Sequence, residues 1–159
     1  MAESLFRIQT RTQFHEALLA AIEEAAYGGW PELRLCDGDY ADWPLGDRRF
    51  VAALERWVTS RRRLVLLAST FDDVARRHAR WVAWRKPWSH VVECRVNEEA
   101  SELPCLLHAP GNLHLELVDR TTYRGTVSRE RSDLVRGREI FDAVLQRSMP
   151  AFPATTAGL

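Results

Sequence analysis

Three stretches in the first half of the chain carry apolar residues at the three- to four-residue spacing that is typical of amphipathic helices. Each stretch follows a Thr or Asp, whose side chain accepts a hydrogen bond from a free backbone N–H at a helix N-terminus. The predicted helices begin after Thr10 (a capping box with Gln13), after Asp47, and after Thr70 (a capping box with Asp73). They end at Gly28-Gly29, near residue 58, and after Trp84, where Pro87 terminates the third helix.

Apolar runs between and after these helices predict β-strands. Residues 64–68 are apolar throughout, which is typical of an inner strand that is covered on both faces. Residues 113–117 alternate between Leu and polar residues, the pattern of a half-buried strand. The predicted strands are 33–36, 64–68, 90–96, 105–108 (as a short edge strand), 113–117 and 123–127. A last helix is predicted to be capped at Ser132 or Asp133, and about 150–159 to form an irregular tail.

The order of these elements predicts an α/β fold with a mixed sheet flanked by helices. Helices alternate with strands in the first half, which favours parallel strands joined by helical crossovers. The second half is a meander, which adds antiparallel strands on one side of the sheet. Because no repeat or linker interrupts the pattern, we expect a single domain over residues 1–159.

Composition narrows the possible partners only a little. The chain has 22 basic and 22 acidic residues, so no overall field draws it to nucleic acid or to a membrane surface. Three cysteines without a secretory signal indicate reduced thiols, and we expect a cytoplasmic protein. No apolar run is long enough to cross a membrane, so no membrane association is expected. Lys86 is the only lysine, and every other basic residue is an arginine.

The segment around residues 112–125 carries a resemblance to a known family. The sequence Leu117-Val118-Asp119, a turn, and Tyr123-Arg124-Gly125 resemble the end of the motif of phospholipase D-type domains. In that superfamily a strand carries His-x-Lys, four residues separate the Lys from an Asp, and a Gly-containing return strand follows the turn. The element order also resembles one half of such a domain, so the resemblance implies a phospholipase D/nuclease-like fold.

The catalytic pair of that family is missing in either register. Counting back from Asp119 places Asn112 at the His position and His114 at the Lys position. Starting from His114 instead places Glu116 at the Lys position and Thr121 at the Asp position. The family's His attacks phosphorus and its Lys stabilises the phosphoryl oxygens, and an Asn cannot act as that nucleophile.

The resemblance therefore implies a vestigial site at Asn112, His114 and Asp119, with no catalytic residue. A domain of this kind is expected to act through binding rather than catalysis. The alternative is a residual phosphoester hydrolase that uses His114 and Asp119.

The chain from Leu33 to about Ser148 also resembles an uncharacterised proteobacterial domain of unknown function. That domain is phospholipase D-like and is often found after an acetyltransferase domain. The residues that carry this resemblance are Asp39-Tyr-Ala-Asp-Trp-Pro-Leu45, Leu66-Leu67-Ala68, Val118-Asp119 with Tyr123, and the stretch 141–150. It implies a second alternative, an accessory module of an acetyltransferase.

Two shorter patterns suggest other chemistries. Asp37-Gly-Asp39 after a strand resembles the Asp-x-Asp motif of haloacid dehalogenase-like phosphatases, but a turn in which the Asp side chains bind local N–H groups is favoured. Cys105, His108 and His114 come close together if their strands pair, but their spacing matches no zinc motif and a fourth ligand is not evident. We expect neither a metal nor a cofactor.

The third predicted helix offers a candidate binding surface. It carries basic residues interleaved with tryptophans, a combination that suits phosphate groups, stacked bases or a protein interface. The residues of this surface are Arg76, Arg77, Arg80, Trp84, Arg85 and Lys86. In the alternative interpretation Val74, His78, Trp81 and Trp84 form the core face, and the arginines opposite them are solvated. The expected partner is a protein, itself included, with a phosphate-bearing ligand or nucleic acid second.

Overall fold

The computed structural model of the protein describes residues 4–99 and 102–154. Helices and strands alternate in its first half, and strands dominate the second. The helices are α1 (Arg11–Gly28), α2 (Arg48–Trp57), α3 (Asp72–Arg77), α4 (Ala79–Arg85) and α5 (Arg131–Gln146), with a 3₁₀ turn at Lys86–Trp88. The strands are β1 (Leu5–Ile8), β2 (Glu32–Cys36), β3 (Arg63–Ala68), β4 (Val92–Val96), β5 (Cys105–Ala109), β6 (Leu113–Asp119), β7 (Arg124–Ser128) and β8 (Met149–Pro150).

The strands form one mixed sheet in the order β1-β7-β6-β5-β2-β3-β4-β8. β2, β3 and β4 are parallel, and the other neighbouring pairs are antiparallel. The predicted α/β fold with a mixed sheet is therefore confirmed. The prediction of an edge strand at 105–108 is wrong, because the loop after β4 returns the chain across the sheet and places β5 between β2 and β6.

Helices cover both faces of the sheet unequally. α1, α2 and α4 pack on one face over the larger hydrophobic cluster, which includes Leu64, Leu66 and Trp81. α5 covers the other face over a smaller cluster of buried residues. The buried members of this smaller cluster are Cys36, Val65, Leu67, Leu103, Leu106 and Phe141. β3 contributes to both clusters, which confirms that its apolar run marks an inner strand.

Two of the predicted helix N-caps are confirmed. Thr10 Oγ1 accepts a hydrogen bond from the backbone N–H of Gln13 at 3.1 Å, and Asp47 accepts one from Arg49 at 2.8 Å. These bonds satisfy backbone donors that have no partner within the helix. The third cap is displaced, because α3 begins at Asp72 and Thr70 precedes its N-cap residue.

The start of α5 also differs from the prediction. The helix begins at Arg131, before Ser132 and Asp133, and its N-cap residue Glu130 makes no side-chain cap bond. Ser128, the last residue of β7, accepts the N–H of Glu130 and donates to Asp133. A side chain from the preceding strand thus takes the place of the expected cap.

The third predicted helix is interrupted at His78, which separates α3 from α4. The ring of His78 lies against the loop before α2: its Nε2 is 2.7 Å from the carbonyl oxygen of Tyr40, and its Nδ1 accepts the N–H of Gly46 at 3.1 Å. A Cβ at Gly46 would lie 2.8 Å from the Cα of His78, so this contact requires a glycine. The close approach holds the chain out of helical geometry at His78.

Within the described residues, no helix is both long enough and apolar enough to span a membrane. Cys36, Cys94 and Cys105 are free thiols, and all three are buried. Burial raises the pKa of Cys94 to about 11, and raises that of the other two thiols further.

Candidate anion-binding site

The three residues of the predicted vestigial site do not lie together. His114 is near the start of β6 and Asp119 is its last residue, so roughly 16 Å of extended strand separates them. Asn112 lies in the turn before β6, where its backbone N–H bonds to Ala109 and its side-chain amide bonds to Pro110. Asp119 is exposed and accepts the backbone N–H groups of Thr121 and Thr122. The three residues of the vestigial site therefore have separate surroundings.

His114 belongs instead to a buried polar network on the α5 side of the sheet. His114 of β6 pairs in register with His108 of β5, and the Nδ1 atoms of the two rings are 3.1 Å apart. The other ring nitrogen of His114 is 2.9 Å from a carboxylate oxygen of Glu116, which also accepts from Arg136 at 3.2 Å. Both histidines are 1% exposed.

The same pairing excludes the zinc group that the sequence allowed. Successive side chains of a strand point to opposite faces of a sheet. Cys105 therefore lies in the larger cluster, whereas His108 faces α5. Among the described residues, no three His, Cys, Asp or Glu side chains group as metal ligands.

The hydrogen bonds of the network assign its protons. The carboxylate of Glu116 only accepts, so the Nε2 of a neutral His114 carries a proton and its Nδ1 is an acceptor. His108 must then donate from its own Nδ1, which leaves the Nε2 of His108 as a lone-pair acceptor. The hydrogen bond from His114 is the main cause of the lowered pKa of Glu116, with Arg136 adding to it.

His108 is neutral near pH 7 in this arrangement. Burial lowers its pKa to about 4; a positive charge on His114 would lower it in the same direction, as the guanidinium groups of Arg34 and Arg138 do. A buried imidazole that remains neutral keeps its lone pair available at a pH where an exposed one is partly protonated.

His108 lines a concave surface, the α5 groove, which has a volume of about 430 Å³. The groove lies between the β5–β6 turn, the end of β7 and the first half of α5. Its lining residues are His108, Pro110, Gly111, Arg129, Arg131, Leu134, Val135 and Arg138. Three guanidinium groups and no carboxylate are among them, so the groove is a locally positive site on a chain of zero net charge.

The three arginines of the groove differ in how they are held. Arg129 makes two hydrogen bonds to the carboxylate of Glu24, which fixes its position. Arg138 is 70% exposed and lies 3.8 Å from Asp142, a distance beyond a normal hydrogen bond. Arg131 is exposed and, among the described residues, has no ion pair. Arg131 has no ion pair among the described residues and Arg138 has only a long contact with Asp142, so both guanidinium groups can turn toward a ligand.

The predicted binding surface on α3 and α4 is divided by the fold. Trp84 and Arg85 are buried, which corrects their place on that surface. Arg85 donates to the Sγ of Cys94 at 2.9 Å and to the carbonyl of Phe152, and its guanidinium lies 4.2 Å from the centre of the Phe152 ring. Its charge thus serves to join α4 to β4 and to the segment after β8.

The remaining members of that surface, Arg76, Arg77, Arg80 and Lys86, are exposed. Arg76 and Arg77 pair with Asp73, and Arg80 donates to the carbonyl of Gly46. These residues lie on the side of the sheet opposite the α5 groove. The alternative interpretation placed Val74, His78, Trp81 and Trp84 on the core face of this helix. All four are buried.

The acidic loop after β2 is a structural turn. Asp37 accepts the N–H of Tyr40 and Asp39 accepts that of Ala41, which confirms the expected local hydrogen bonds. The buried carboxylate of Asp37 also pairs with Arg120 at 2.9 Å. The counter-ion of Asp37 therefore comes from the β6–β7 turn.

Comparison with known proteins shows similarity only at the level of structure. No family model and no curated protein matches the sequence. TrmBL2, described as an archaeal chromatin protein with a novel mode of DNA binding, superposes on 94% of this chain with a TM-score of 0.67 and 15% identity. The match covers 54% of TrmBL2, so this chain spans about half of that protein's length.

NucT from Helicobacter pylori superposes on 92% of this chain with a TM-score of 0.57. The match covers 99% of NucT, at 2% identity. The chain and NucT share one fold, a mixed sheet flanked by helices. The likeness is one of fold alone, because identities this low carry nothing about activity or ligand.

The sequence pointed to His108 only as a possible zinc ligand, and it did not single out the arginines of α5. His108 and His114 flank the turn Pro110-Gly111, and a hairpin there places them opposite each other, which was the available signal. Nothing in the sequence around Arg131 and Arg138 indicated a site, because only the packing of α5 across β5 and β6 brings them to the hairpin.

Proposed function

We propose that this domain is a non-catalytic binding module that takes a phosphate-bearing ligand in the α5 groove. The observation that carries the proposal is the convergence of His108, Arg129, Arg131 and Arg138 on one concavity that no carboxylate lines. Arginine presents a planar fork of N–H donors that matches the oxygens of a phosphate group. A volume of about 430 Å³ is within the range of small-ligand sites.

The surroundings of His114 argue against the alternative of a residual hydrolase. Both of its ring nitrogens are engaged, one with His108 and one with Glu116, and the residue is buried. Neither nitrogen is available to attack phosphorus. Asp119, the other residue of that alternative, lies at the far end of β6 and holds a turn.

The structural relatives are compatible with a phosphate ligand. TrmBL2 is described as binding DNA, so a protein with this fold meets phosphodiesters. This chain has no net charge, so its affinity for a phosphate must come from a local cluster. The α5 groove is such a cluster. A protein partner and a role beside an acetyltransferase stay predictions.

Isothermal titration calorimetry with pyrophosphate tests the proposal. We expect saturable binding that weakens as salt rises, and at least about tenfold weaker binding when Arg131 and Arg138 are both replaced by Ala. The matched control is the double variant Arg76→Ala with Arg77→Ala, which removes the same charge from the other side of the sheet and should bind as the wild type does. Equal losses in both variants, or no binding by the wild type, would overturn the proposal.

Two further measurements define the ligand and the chemistry. A thymidine oligonucleotide that binds more tightly than pyrophosphate, and loses affinity in the groove variant, would identify a nucleic acid as the ligand class. Turnover of a chromogenic phosphodiester that disappears in His114→Ala would contradict the non-catalytic part of the proposal.

A further inference from the structure

We infer that binding of an anion in the α5 groove is coupled to the uptake of one proton by the pair His108 and His114. The inference rests on the proposed function, because it assigns a proton to the site that the ligand occupies. It follows from the number of protons that the network can hold and from where each one lies.

When the pair is neutral, His108 offers an anion a lone pair and not an N–H donor. A single hydrogen bond joins the two Nδ1 atoms, so one ring donates there and the other accepts. Since neutral His114 donates its one N–H proton to Glu116, the proton of His108 is on Nδ1 and its Nε2 bears a lone pair. His108 lines the groove, and a lone pair facing a phosphate oxygen is repulsive.

One added proton changes this without any other proton moving. Protonation of His108 at Nε2 leaves the bonds to His114 and Glu116 in place and converts the acceptor into an N–H donor. The resulting imidazolium adds a charged donor to those of the arginines. A charge-assisted hydrogen bond of this kind is roughly twice as strong as a neutral one.

The charged groups around the pair leave His108 without a counter-ion of its own. Arg34 of β2 and Arg138 of α5 lie near His108, and Asp142 pairs with both of them. Glu116 bonds to His114 and pairs with Arg136 of α5, which also pairs with Asp133. Arg129, paired with Glu24, and Arg131 close the groove. Of the described residues, none places a carboxylate against His108, so the bound anion would be its partner.

The sign of the coupling is set by the low pKa of His108. Without ligand, burial keeps this pKa at about 4, so the proton is absent at neutral pH. An anion in contact with the ring favours the protonated form and raises the pKa. By linkage, anion affinity increases as pH falls, by up to about tenfold per pH unit, between the pKa of the complex and about pH 4.

Sulfate is a suitable probe, because it has the charge and shape of a phosphate group and does not titrate between pH 5 and pH 8. Calorimetry at pH 6 in two buffers of different ionisation enthalpy measures the protons taken up on binding. We expect an uptake that approaches one proton in the wild type, and weaker binding with no uptake in His108→Gln. The control His90→Gln removes an exposed histidine and should behave as the wild type does.

The outcomes separate the inference from the proposed function. Sulfate or pyrophosphate binding that depends on Arg131 and Arg138 but takes up no proton would leave the proposed function standing and overturn the coupling. Uptake that persists in His108→Gln would also overturn it. If neither anion binds, the proposed function fails and the coupling fails with it.

A second measurement covers the case in which His108→Gln does not fold. The Cε1–H resonance of His108 in the wild type can be titrated by NMR with and without sulfate. A pKa that rises when sulfate is present supports the coupling, and an unchanged pKa overturns it.

Discussion

Gly137 of α5 lies directly against the imidazole of His114: a Cβ at this position would be 2.6 Å from both Cγ and Cε1 of the ring. Real Cβ atoms do not approach other atoms this closely, so the separation between α5 and β6 depends on a residue without a side chain. A glycine inside a helix costs about 1 kcal/mol relative to alanine, and here the close packing offsets that cost.

We expect Gly137→Ala to lower the free energy of unfolding by up to about 2 kcal/mol. The estimate combines the 1–3 kcal/mol that overpacking typically costs with the roughly 1 kcal/mol that alanine returns in helix propensity. Urea denaturation measures the difference. In a His114→Ala background the ring is absent, so the same substitution should become neutral or stabilising. An unchanged cost in that background would show that the contact with His114 is not the cause.

Stability should also depend on pH through His108. The ordinary pKa of a histidine is near 6.5, and burial lowers that of His108 to about 4, so between these values the unfolded chain binds more protons than the folded one. The contribution of His108 to the free energy of unfolding is therefore expected to be complete above pH 6.5. It should decrease as pH falls toward 4. His78 contributes in the same direction, because burial lowers its pKa as well.

Thermal unfolding of His108→Leu across this range isolates its share. The variant should lose less stability than the wild type between pH 6.5 and pH 4, and His90→Leu should follow the wild type. Parallel curves for His108→Leu and the wild type would contradict the lowered pKa.

Asp119 is expected to matter for the turn and not for the ligand. Its carboxylate accepts the N–H groups of Thr122 and Thr121, and these bonds are the main cause of its lowered pKa. Asp119→Ala should therefore lower the melting temperature, whereas Asp119→Asn keeps an acceptor oxygen and should restore most of it. Both variants should bind pyrophosphate as the wild type does. Loss of binding in Asp119→Asn, with the fold intact, would return this residue to the ligand site.

Two arginines of the third predicted helix should respond in opposite ways. Arg85 is 2% exposed and makes hydrogen bonds and a cation–π contact inside the protein, so Arg85→Ala is expected to cost about 2–3 kcal/mol of stability. Arg76 is exposed and pairs with Asp73 on the surface of the helix, so Arg76→Ala should change stability by less than about 0.5 kcal/mol. Equal effects in chemical denaturation would mean that Arg85 is not buried as described.

Local patterns predicted the elements whose cause is local. The apolar run of β3, the cap at Asp47 and the hairpin that joins β6 to β7 depend on residues close in sequence, and they are found as expected. β1 and β8 were missed because strands of four and two residues are too short to show a period, and they form only by pairing with distant partners at the edges of the sheet. The central place of β5 is likewise a consequence of pairing with β2.

The candidate site was harder to predict than the fold. A run of basic residues on one predicted helix indicated a binding surface, yet the orientation of α4 turns Arg85 and Trp84 inward. The α5 groove instead combines residues from three elements, with His108 and Arg138 thirty positions apart, and neither has a motif around it. Such a site depends on how a helix lies across a sheet, which composition and spacing do not determine.

The small cluster under α5 has a consequence for local unfolding. This helix rests on fewer buried side chains than α1 and α2 do, and its first half lies over polar groups. Its amide hydrogens should therefore exchange with solvent through openings that cost less free energy than unfolding of the whole domain. An anion that touches Arg138 on α5 and His108 on β5 would join the helix to the sheet. Slower exchange along α5 would then report occupancy of the groove, and the helix that forms the site would be the part of the protein that the ligand steadies most.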